Sequence, residues 1–189
     1  MTPSILLRGS RVRLTALTQN DLPAVAEWHQ NSEFLRLFDA LPAYPKTETS
    51  LARWLDDTDK AHDAFLFAIR SLDSDEPIGY VELDGILWAH RVGGVSIAIG
   101  EAKHRGKGYG YEVMQLILRF AFDELNLHRV QLTVFSYNEP AIALYERLGF
   151  QREGVHREHL QRDGRRYDMY LYGLLRAEWE KDLKSSANN

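Results

Sequence analysis

Several stretches of the chain alternate apolar and polar residues, or are apolar throughout, and such stretches predict β-strands. The alternation at 11–17, the apolar run at 64–69 and the segment 78–88 predict three strands, and the alternating segment 95–100 predicts a fourth. Polar or glycine-containing turns separate the last three. The first half of the chain is therefore expected to contain an antiparallel meander.

Apolar residues spaced three or four positions apart predict helices between and after these strands. Thr18 followed by Asp21 is typical of a helix N-terminus, and Thr47 begins a second helical pattern. A short helical piece is expected at 34–38 and a longer helix at 109–124.

Strands and helices alternate in the second half. The segment 128–135 predicts a strand directly after the long helix, and a strand, a helix and a strand in succession form a parallel crossover. A short helix at 140–148 follows, then two strands around the Asp163-Gly164 turn, and a last helix at 176–184. We expect an α/β (α+β) fold with a mixed, mostly antiparallel central sheet, helices on both faces and one parallel strand pair.

The composition is that of an ordinary globular protein, with 44% apolar and 26% charged residues among 189. This length suits a single domain, expected over 1–184, and residues 185–189 are expected to form a disordered tail. No apolar run approaches the roughly 18 residues that span a bilayer, and residues 1–14 lack the apolar core of a signal peptide. We therefore expect a cytoplasmic protein with no membrane partner.

Cysteine is absent, which excludes disulfides, cysteine-ligated zinc and a cysteine nucleophile. The net charge of −4 is uneven: residues 1–102 carry 9 Lys and Arg against 15 Asp and Glu, and residues 103–189 carry 14 against 12. This asymmetry fits a cationic substrate and an anionic cofactor on different sides, and equally fits uneven solvated surfaces. No nucleic-acid-binding motif is present, so no nucleic-acid partner is expected.

The segment from Val95 to Gly110 combines a strand, a basic glycine-rich turn and the start of a helix. Glycines let the backbone turn sharply and bring its N–H groups close to a ligand, and a helix N-terminus adds unpaired donors and partial positive charge. Lys103, Arg105 and Lys107 add full charges. This arrangement predicts a ligand that carries phosphate.

Three other motif-based sites do not fit these residues. A P-loop requires Ser or Thr after Gly-Lys, whereas Gly108 follows Lys107. A dinucleotide fingerprint requires G-x-G-x-x-G after the first strand, whereas the glycines here are two apart and follow the meander. A serine-hydrolase elbow at Ser96 would lie inside an alternating strand rather than at a strained turn.

Two segments carry a family resemblance. Arg105-Gly106-Lys107-Gly108-Tyr109-Gly110 resembles the Q/R-x-x-G-x-G/A signature of the GCN5-related N-acetyltransferases (GNAT), which binds the pyrophosphate of acetyl-coenzyme A (acetyl-CoA). The segment NEPAIALYERLGF, from Asn138 to Phe150, resembles the N-x-x-A-x-x-L-Y-x-x-x-G-F segment of that family. The tail from Glu153 to Tyr170 is similar to the branch with ribosomal-protein N-terminal and spermidine acetyltransferases.

The resemblance implies a GNAT fold in which the strands at 95–100 and 128–136 splay apart and the pantetheine arm of acetyl-CoA fills the gap. The backbone of Ile97, Ala98 and Ile99 would then bind this arm, and a backbone N–H would polarise the thioester carbonyl. The other residues implied to bind the cofactor are Arg105, Gly106, Lys107, Gly108, Tyr109, Gly110 and Asn138.

The resemblance also implies that an amine attacks the thioester directly, so the thiolate must gain a proton and the ammonium must lose one. Tyr145 occupies the family position of the general acid; spacing alone favours a core aromatic residue. Glu82, on the strand beside the splayed pair, is the candidate base; the alternative is a solvent-facing carboxylate. Glu33 and Asp39 are candidates for binding a cationic acceptor.

His156 and His159 lie three apart in a predicted strand, hence on opposite faces, and no metal is expected. The chain is predicted to be an acetyl-CoA-dependent N-acetyltransferase acting on a primary amine: a protein N-terminus, a polyamine or another small amine. A homodimer is expected by analogy. The alternative is a noncatalytic acyl-CoA-binding or regulatory protein, against which the presence of both Asn138 and Tyr145 argues.

Overall fold

Seven strands form one continuous sheet in the computed structural model, which describes residues 6–187 and their side chains as far as Lys181. Across the sheet their order is β1-β2-β3-β4-β5-β7-β6, and within the described residues only β4 and β5 pair in parallel. The predicted mixed, mostly antiparallel sheet is therefore confirmed. The strands are β1 (Val12–Ala16), β2 (Phe65–Ser71), β3 (Pro77–Leu87), β4 (Val92–Ile99), β5 (Arg129–Phe135), β6 (Gln151–Arg162) and β7 (Arg165–Leu175).

Helices cover both faces of the sheet, as predicted. They are α1 (Leu22–Trp28), α2 (Ser32–Phe38), α3 (Glu48–Lys60), α4 (Tyr109–Arg119), α5 (Glu139–Arg147) and α6 (Arg176–Ala187). The side chains of β3 show the division, because Val81 packs in a buried cluster with α4 and α5, whereas its neighbour Tyr80 packs in a second cluster with α1, α2 and α3. None of the helices in the described part of the chain is long and apolar enough to cross a bilayer.

Local signals in the sequence explain where several helices begin and end. The Thr47 hydroxyl accepts a hydrogen bond from Ser50 N at 3.2 Å and caps α3. A π-helical turn, Phe120–Glu124, follows α4, so the helix predicted at 109–124 has two parts. Helix α6 extends past the predicted 176–184; the disorder expected at 185–189 stays a prediction, and residues 188–189 lie outside those described.

The parallel pairing of β4 with β5 is short. Only 92–94 pair with 129–131, and β5 then diverges while β4 continues to pair with β3 as far as Ile99 opposite Gly79. The predicted splay is thus confirmed, and it leaves an opening in the middle of the sheet. Gly79 allows β3 to approach this part of β4 closely, because an added Cβ would overlap the carbonyl oxygen of Ala98.

The prediction that His156 and His159 lie on opposite faces is wrong. Their ring centroids are 5.5 Å apart. The register of β6 against β7 shifts between His156 and Leu160, and Glu158 in this bulge has a φ of 51°. Such a bulge changes the alternation of side chains, which brings both imidazoles together. Across the described residues, no group of three or more His, Cys, Asp or Glu side chains is placed to hold a metal ion.

Candidate active site

A cavity of about 500 Å³ lies where β4 and β5 diverge. Its walls are the β4 segment 95–99, the β5 segment 133–135, the turn before α4, and the helices α2 and α5. Ile97, Ala98 and Ile99, the residues predicted to bind an extended ligand arm, all line it. Because β5 no longer pairs with β4 here, one edge of the β4 backbone faces the cavity.

The glycine-rich turn closes one end of this cavity. Arg105, Gly106, Gly108 and Gly110 line it, and Gly106 and Gly108 have φ values of 70° and 81°, which L residues rarely adopt. Gly108 is the N-cap of α4, and no side chain caps this helix. The first N–H groups of α4 are therefore available to an anion, which the helix dipole also favours.

Lys107 and Tyr109, the other turn residues predicted to bind the cofactor, do not line the cavity. The Lys107 carbonyl accepts a hydrogen bond from Arg11 at 2.8 Å, and the Arg11 guanidinium lies 5.8 Å from the centre of the Tyr109 ring. Lys103 forms an ion pair with Glu101 at 2.9 Å. The turn thus presents its backbone, with Arg105, to the cavity.

Tyr145 projects from α5 into the cavity wall and is only 7% exposed. Its ring packs edge-on against Phe150 with 5.9 Å between centroids. Burial raises the pKa of Tyr145 to about 12, so the hydroxyl keeps its proton at neutral pH and can donate it. The side chain is therefore both a core aromatic residue and an available proton donor.

Asn138 also lines the cavity and joins two helices. Its side-chain oxygen accepts from Ala141 N at 3.4 Å and caps α5, while its amide nitrogen donates to the Leu37 carbonyl at the end of α2, also at 3.4 Å. The residue is thus a helix cap, and its amide faces the space between the two helices.

Glu82 lies on β3, the strand next to the β4 segment that lines the cavity. It pairs across β3 and β4 with Ser96, which lines the cavity, and residues opposite each other on antiparallel strands point to the same face. Burial, together with the negative charge of Asp84, raises the pKa of Glu82 to about 7. The carboxyl group therefore exchanges a proton near neutral pH, as a general base requires.

The cavity wall that α2 forms with its apolar side chains was not predicted from the sequence. Phe34, Leu37 and Phe38 line the cavity from this helix, which is held to the β6–β7 hairpin by a two-bonded ion pair of Arg36 with Asp163, both contacts at 2.8 Å. These two residues are 127 positions apart, and local patterns cannot bring them together.

Other parts of the site were also missed. His104 lines the cavity, as do Tyr111 and Arg147, whose guanidinium lies 4.3 Å from the centre of the tyrosine ring. Of the two acidic residues predicted to face an acceptor, Glu33 forms an ion pair with Arg105 at 3.3 Å, and Asp39 accepts a hydrogen bond from Leu41 N.

Comparison with known proteins agrees with this geometry. A family model described as an acetyltransferase (GNAT) domain matches residues 11–151. An SPbeta prophage-derived uncharacterized N-acetyltransferase of Bacillus subtilis (strain 168) is 30% identical over 91% of this chain and 94% of its own length. The [ribosomal protein uS5]-alanine N-acetyltransferase of Escherichia coli (strain K12) is 24% identical over 94% of each chain.

A solved structure resembles the whole fold. The crystal structure of spermidine N-acetyltransferase from Vibrio cholerae in complex with CoA and spermine superimposes with a TM-score of 0.83 and 27% identity, covering 91% of this chain and 99% of that one. The residues around the cavity offer unpaired N–H groups at one end, a strand edge along its length and a protonated tyrosine. Such a set fits a long ligand with phosphates at one end and a reactive carbonyl at the other.

Proposed function

This chain belongs to the GNAT acetyltransferase family and is an N-acetyltransferase with acetyl-CoA as its co-substrate, and from that premise we propose that it acetylates a cationic primary amine by direct attack on the thioester. One observation carries the proposal: the opening beyond Gly94, where the glycine-rich turn, the free edge of β4 and Tyr145 all face one cavity. No cysteine is available to carry an acyl group, which supports direct transfer.

The turn would bind the diphosphate. Gly106 and Gly108 bring the backbone close to the ligand, the uncapped start of α4 supplies N–H donors, and Arg105 supplies charge. The β4 edge at Ile97, Ala98 and Ile99 would bind the pantetheine arm as an added strand, with a fixed N–H group at the thioester carbonyl. In this arrangement the thioester would lie toward Tyr145, away from the turn.

The proposed base and acid approach the opening from the two faces of the sheet. Glu82 lies on the same face of the sheet as Tyr80, which packs in the second cluster with α1, α2 and α3. Tyr145 belongs to the first cluster, on the other face. Glu82 would take a proton from the ammonium, directly or through one water. As the nitrogen bonds to the acyl carbon and the carbon–sulfur bond breaks, Tyr145 would protonate the leaving thiolate.

A cationic acceptor is supported by the charges around the base. Glu82 and Asp84 lie two apart on one face of β3, and Asp63 is near enough to contribute to the raised pKa of Asp84, after the effect of burial. Negative charge held in partly buried positions favours an ammonium group nearby. Polyamines and protein N-terminal amines both meet this requirement.

We further propose a single domain over 1–184, a cytoplasmic location and a homodimer.

A thiol-release assay tests the proposal. Acetyl-CoA is incubated with spermidine, spermine, peptides with a free N-terminal alanine, and an amino sugar, and mass spectrometry identifies the product. We expect one free CoA for each acetyl group found on the product for at least one cationic acceptor, and no CoA release from the same compound with all its amines already acetylated. Tight CoA binding without turnover on any amine would favour the noncatalytic alternative.

A further inference from the structure

Arg11 joins the start of the chain to the glycine-rich turn. It immediately precedes β1, and its guanidinium donates from Nη1 to the Lys107 carbonyl at 2.8 Å and from Nη2 to the Gly108 carbonyl at 3.3 Å. The same side chain donates from Nε to the Glu112 carboxylate at 2.9 Å. One residue thus holds both the turn and the first turn of α4.

Glu112 anchors this arrangement and is only 8% exposed. Besides the Arg11 side chain, its carboxylate accepts hydrogen bonds from Arg11 N at 2.8 Å, from the Ser10 hydroxyl at 3.2 Å and from Val12 N at 3.4 Å. Burial by itself would raise the pKa of Glu112, but these hydrogen bonds outweigh it and lower the pKa. The carboxylate is therefore charged and fixed, and Arg11 has a rigid partner.

The contacts of Arg11 help to fix which way the turn amides point: the Lys107 carbonyl accepts from Arg11, and the Gly108 carbonyl accepts both from Arg11 and from Glu112 N, each at 3.3 Å. In a trans peptide the carbonyl and the following N–H point in opposite directions. Because the Lys107 and Gly108 carbonyls point toward Arg11, the N–H groups that follow them, those of Gly108 and Tyr109, point away from Arg11. The absent side chain of Gly108 makes room for this contact, because an added Cβ would lie 3.0 Å from Nη2 of Arg11.

We infer that Arg11, held by Glu112, is a positioning residue for cofactor binding, which orients the turn amides toward the diphosphate without touching it. This inference rests on the proposed placement of the diphosphate at the turn. Arg11 is half exposed as a side chain and lies outside the cavity lining. Its effect would therefore be specific to ligands that carry the diphosphate.

The test compares two ligands on the Arg11→Met variant, which retains the aliphatic stem. Calorimetry should give a Kd for CoA about tenfold above that of the wild type, in keeping with the loss of charged hydrogen bonds. The Kd for pantetheine, which lacks the diphosphate, should stay within about twofold. In Arg11→Met the KM for acetyl-CoA should rise while kcat at saturation changes little. Glu112→Gln should show the same selective loss of affinity for CoA to a smaller extent.

Arg13→Met serves as the matched control, because Arg13 lies on β1 and pairs with Asp75 rather than with the turn; its CoA affinity should match the wild type. Equal weakening for CoA and pantetheine in Arg11→Met, or no weakening for either, would overturn the inference. If Arg11→Met does not fold, Arg11→Lys replaces it in the test. Lysine retains the charge but lacks the guanidinium that bonds both carbonyls, and this variant must then show the selective loss of affinity for CoA. A wild type that binds CoA no better than pantetheine would instead contradict the proposed site.

Discussion

At the scale of single residues, the proposed acid and base have pKa values displaced in the directions that their roles require. Burial keeps the Tyr145 hydroxyl protonated. Burial, with the nearby charge of Asp84, raises the pKa of the Glu82 carboxyl to about 7. One group can therefore donate a proton and the other accept one at the same pH. For both groups the first cause is burial, which depends on how α5 and β3 pack in the fold.

Glu82 leads to a prediction on pH dependence. A base acts only when deprotonated, so kcat/KM should rise with pH through about 7 and then level off. Asp84→Asn removes a charge that raises the pKa of Glu82, so the rise should move to lower pH. In Glu82→Gln the rate should fall by about 10²-fold and this rise should disappear.

The profiles are measured as initial rates of thiol release between pH 5 and 9 with the best acceptor. Glu27→Gln, at an exposed position of α1, is the control and should retain the wild-type profile. An unchanged profile in Glu82→Gln would remove this residue as the base. A normal profile in Asp84→Asn, with Glu82→Gln inactive, would show that another group sets the pH dependence.

The residues that local motifs in the sequence indicate as a site lie together in the structure. The glycines of the turn, Asn138 and Tyr145 all lie at the cavity. Arg11 was missed, since its partner Glu112 is 101 positions away and nothing near Arg11 indicates that distance. His156 and His159 were placed wrongly because regular alternation was assumed across a bulge that the sequence does not mark.

At the scale of the elements, α2 and α5 form opposite walls of one cavity, and Asn138 links them. The Tyr137 hydroxyl donates to the Arg36 carbonyl, which adds a second bond between α2 and the β5–α5 connection. The helices themselves were predictable, because their caps and apolar spacing are local. Their meeting across the cavity was not, because it depends on long-range pairing.

Two substitutions of Asn138 separate its capping of α5 from a role in the cavity. Asn138→Asp keeps an acceptor that caps α5 but loses the amide donor, whereas Asn138→Ala loses both. We expect the free energy of unfolding to fall by about 1 kcal/mol in the alanine variant, and by less in the aspartate variant, which keeps the cap and loses only the bond to the Leu37 carbonyl. If the amide contributes to the site, both should show the same loss of kcat/KM.

Urea unfolding and thiol-release kinetics on the three proteins provide the measurement. Thr47→Ala, which removes the cap of α3 away from the cavity, is the control for a lost cap and should leave kcat/KM unchanged. Full activity in Asn138→Asp would restrict this residue to capping.

At the scale of the whole molecule, the sheet separates two buried clusters, and the cavity lies where both meet. His29, which is 7% exposed, packs against Phe34 and Tyr80 of the second cluster. Its Nε2 lies 3.2 Å from the Tyr80 hydroxyl, and its Nδ1 is buried without a partner. Burial, with the positive charge of Lys46, lowers the pKa of His29 to about 4.

This histidine should make the fold sensitive to acid. The unfolded chain binds a proton at His29 below about pH 6.5, whereas the folded chain does so only near pH 4. The free energy of unfolding should therefore fall between these values as the pH is lowered, by about 3 kcal/mol from this residue. His29→Gln should lack this part of the decline.

Urea unfolding at several pH values from 7.5 to 4 measures the effect. His90→Gln, at an exposed position of the β3–β4 turn, is the control and should decline like the wild type. An equal decline in His29→Gln and the wild type would show that His29 does not contribute to the loss of stability in acid.

The central claim, that acetyl transfer takes place in the opening between β4 and β5 with Tyr145 as the acid, is tested most directly by single-turnover kinetics of Tyr145→Phe. With a productive amine, thiol release should slow by about 10²-fold or more while the Kd for CoA stays within about twofold. Tyr172→Phe, which removes the hydroxyl that donates to Glu146 at 2.8 Å outside the cavity lining, should keep the wild-type rate. A wild-type single-turnover rate in Tyr145→Phe would contradict the account.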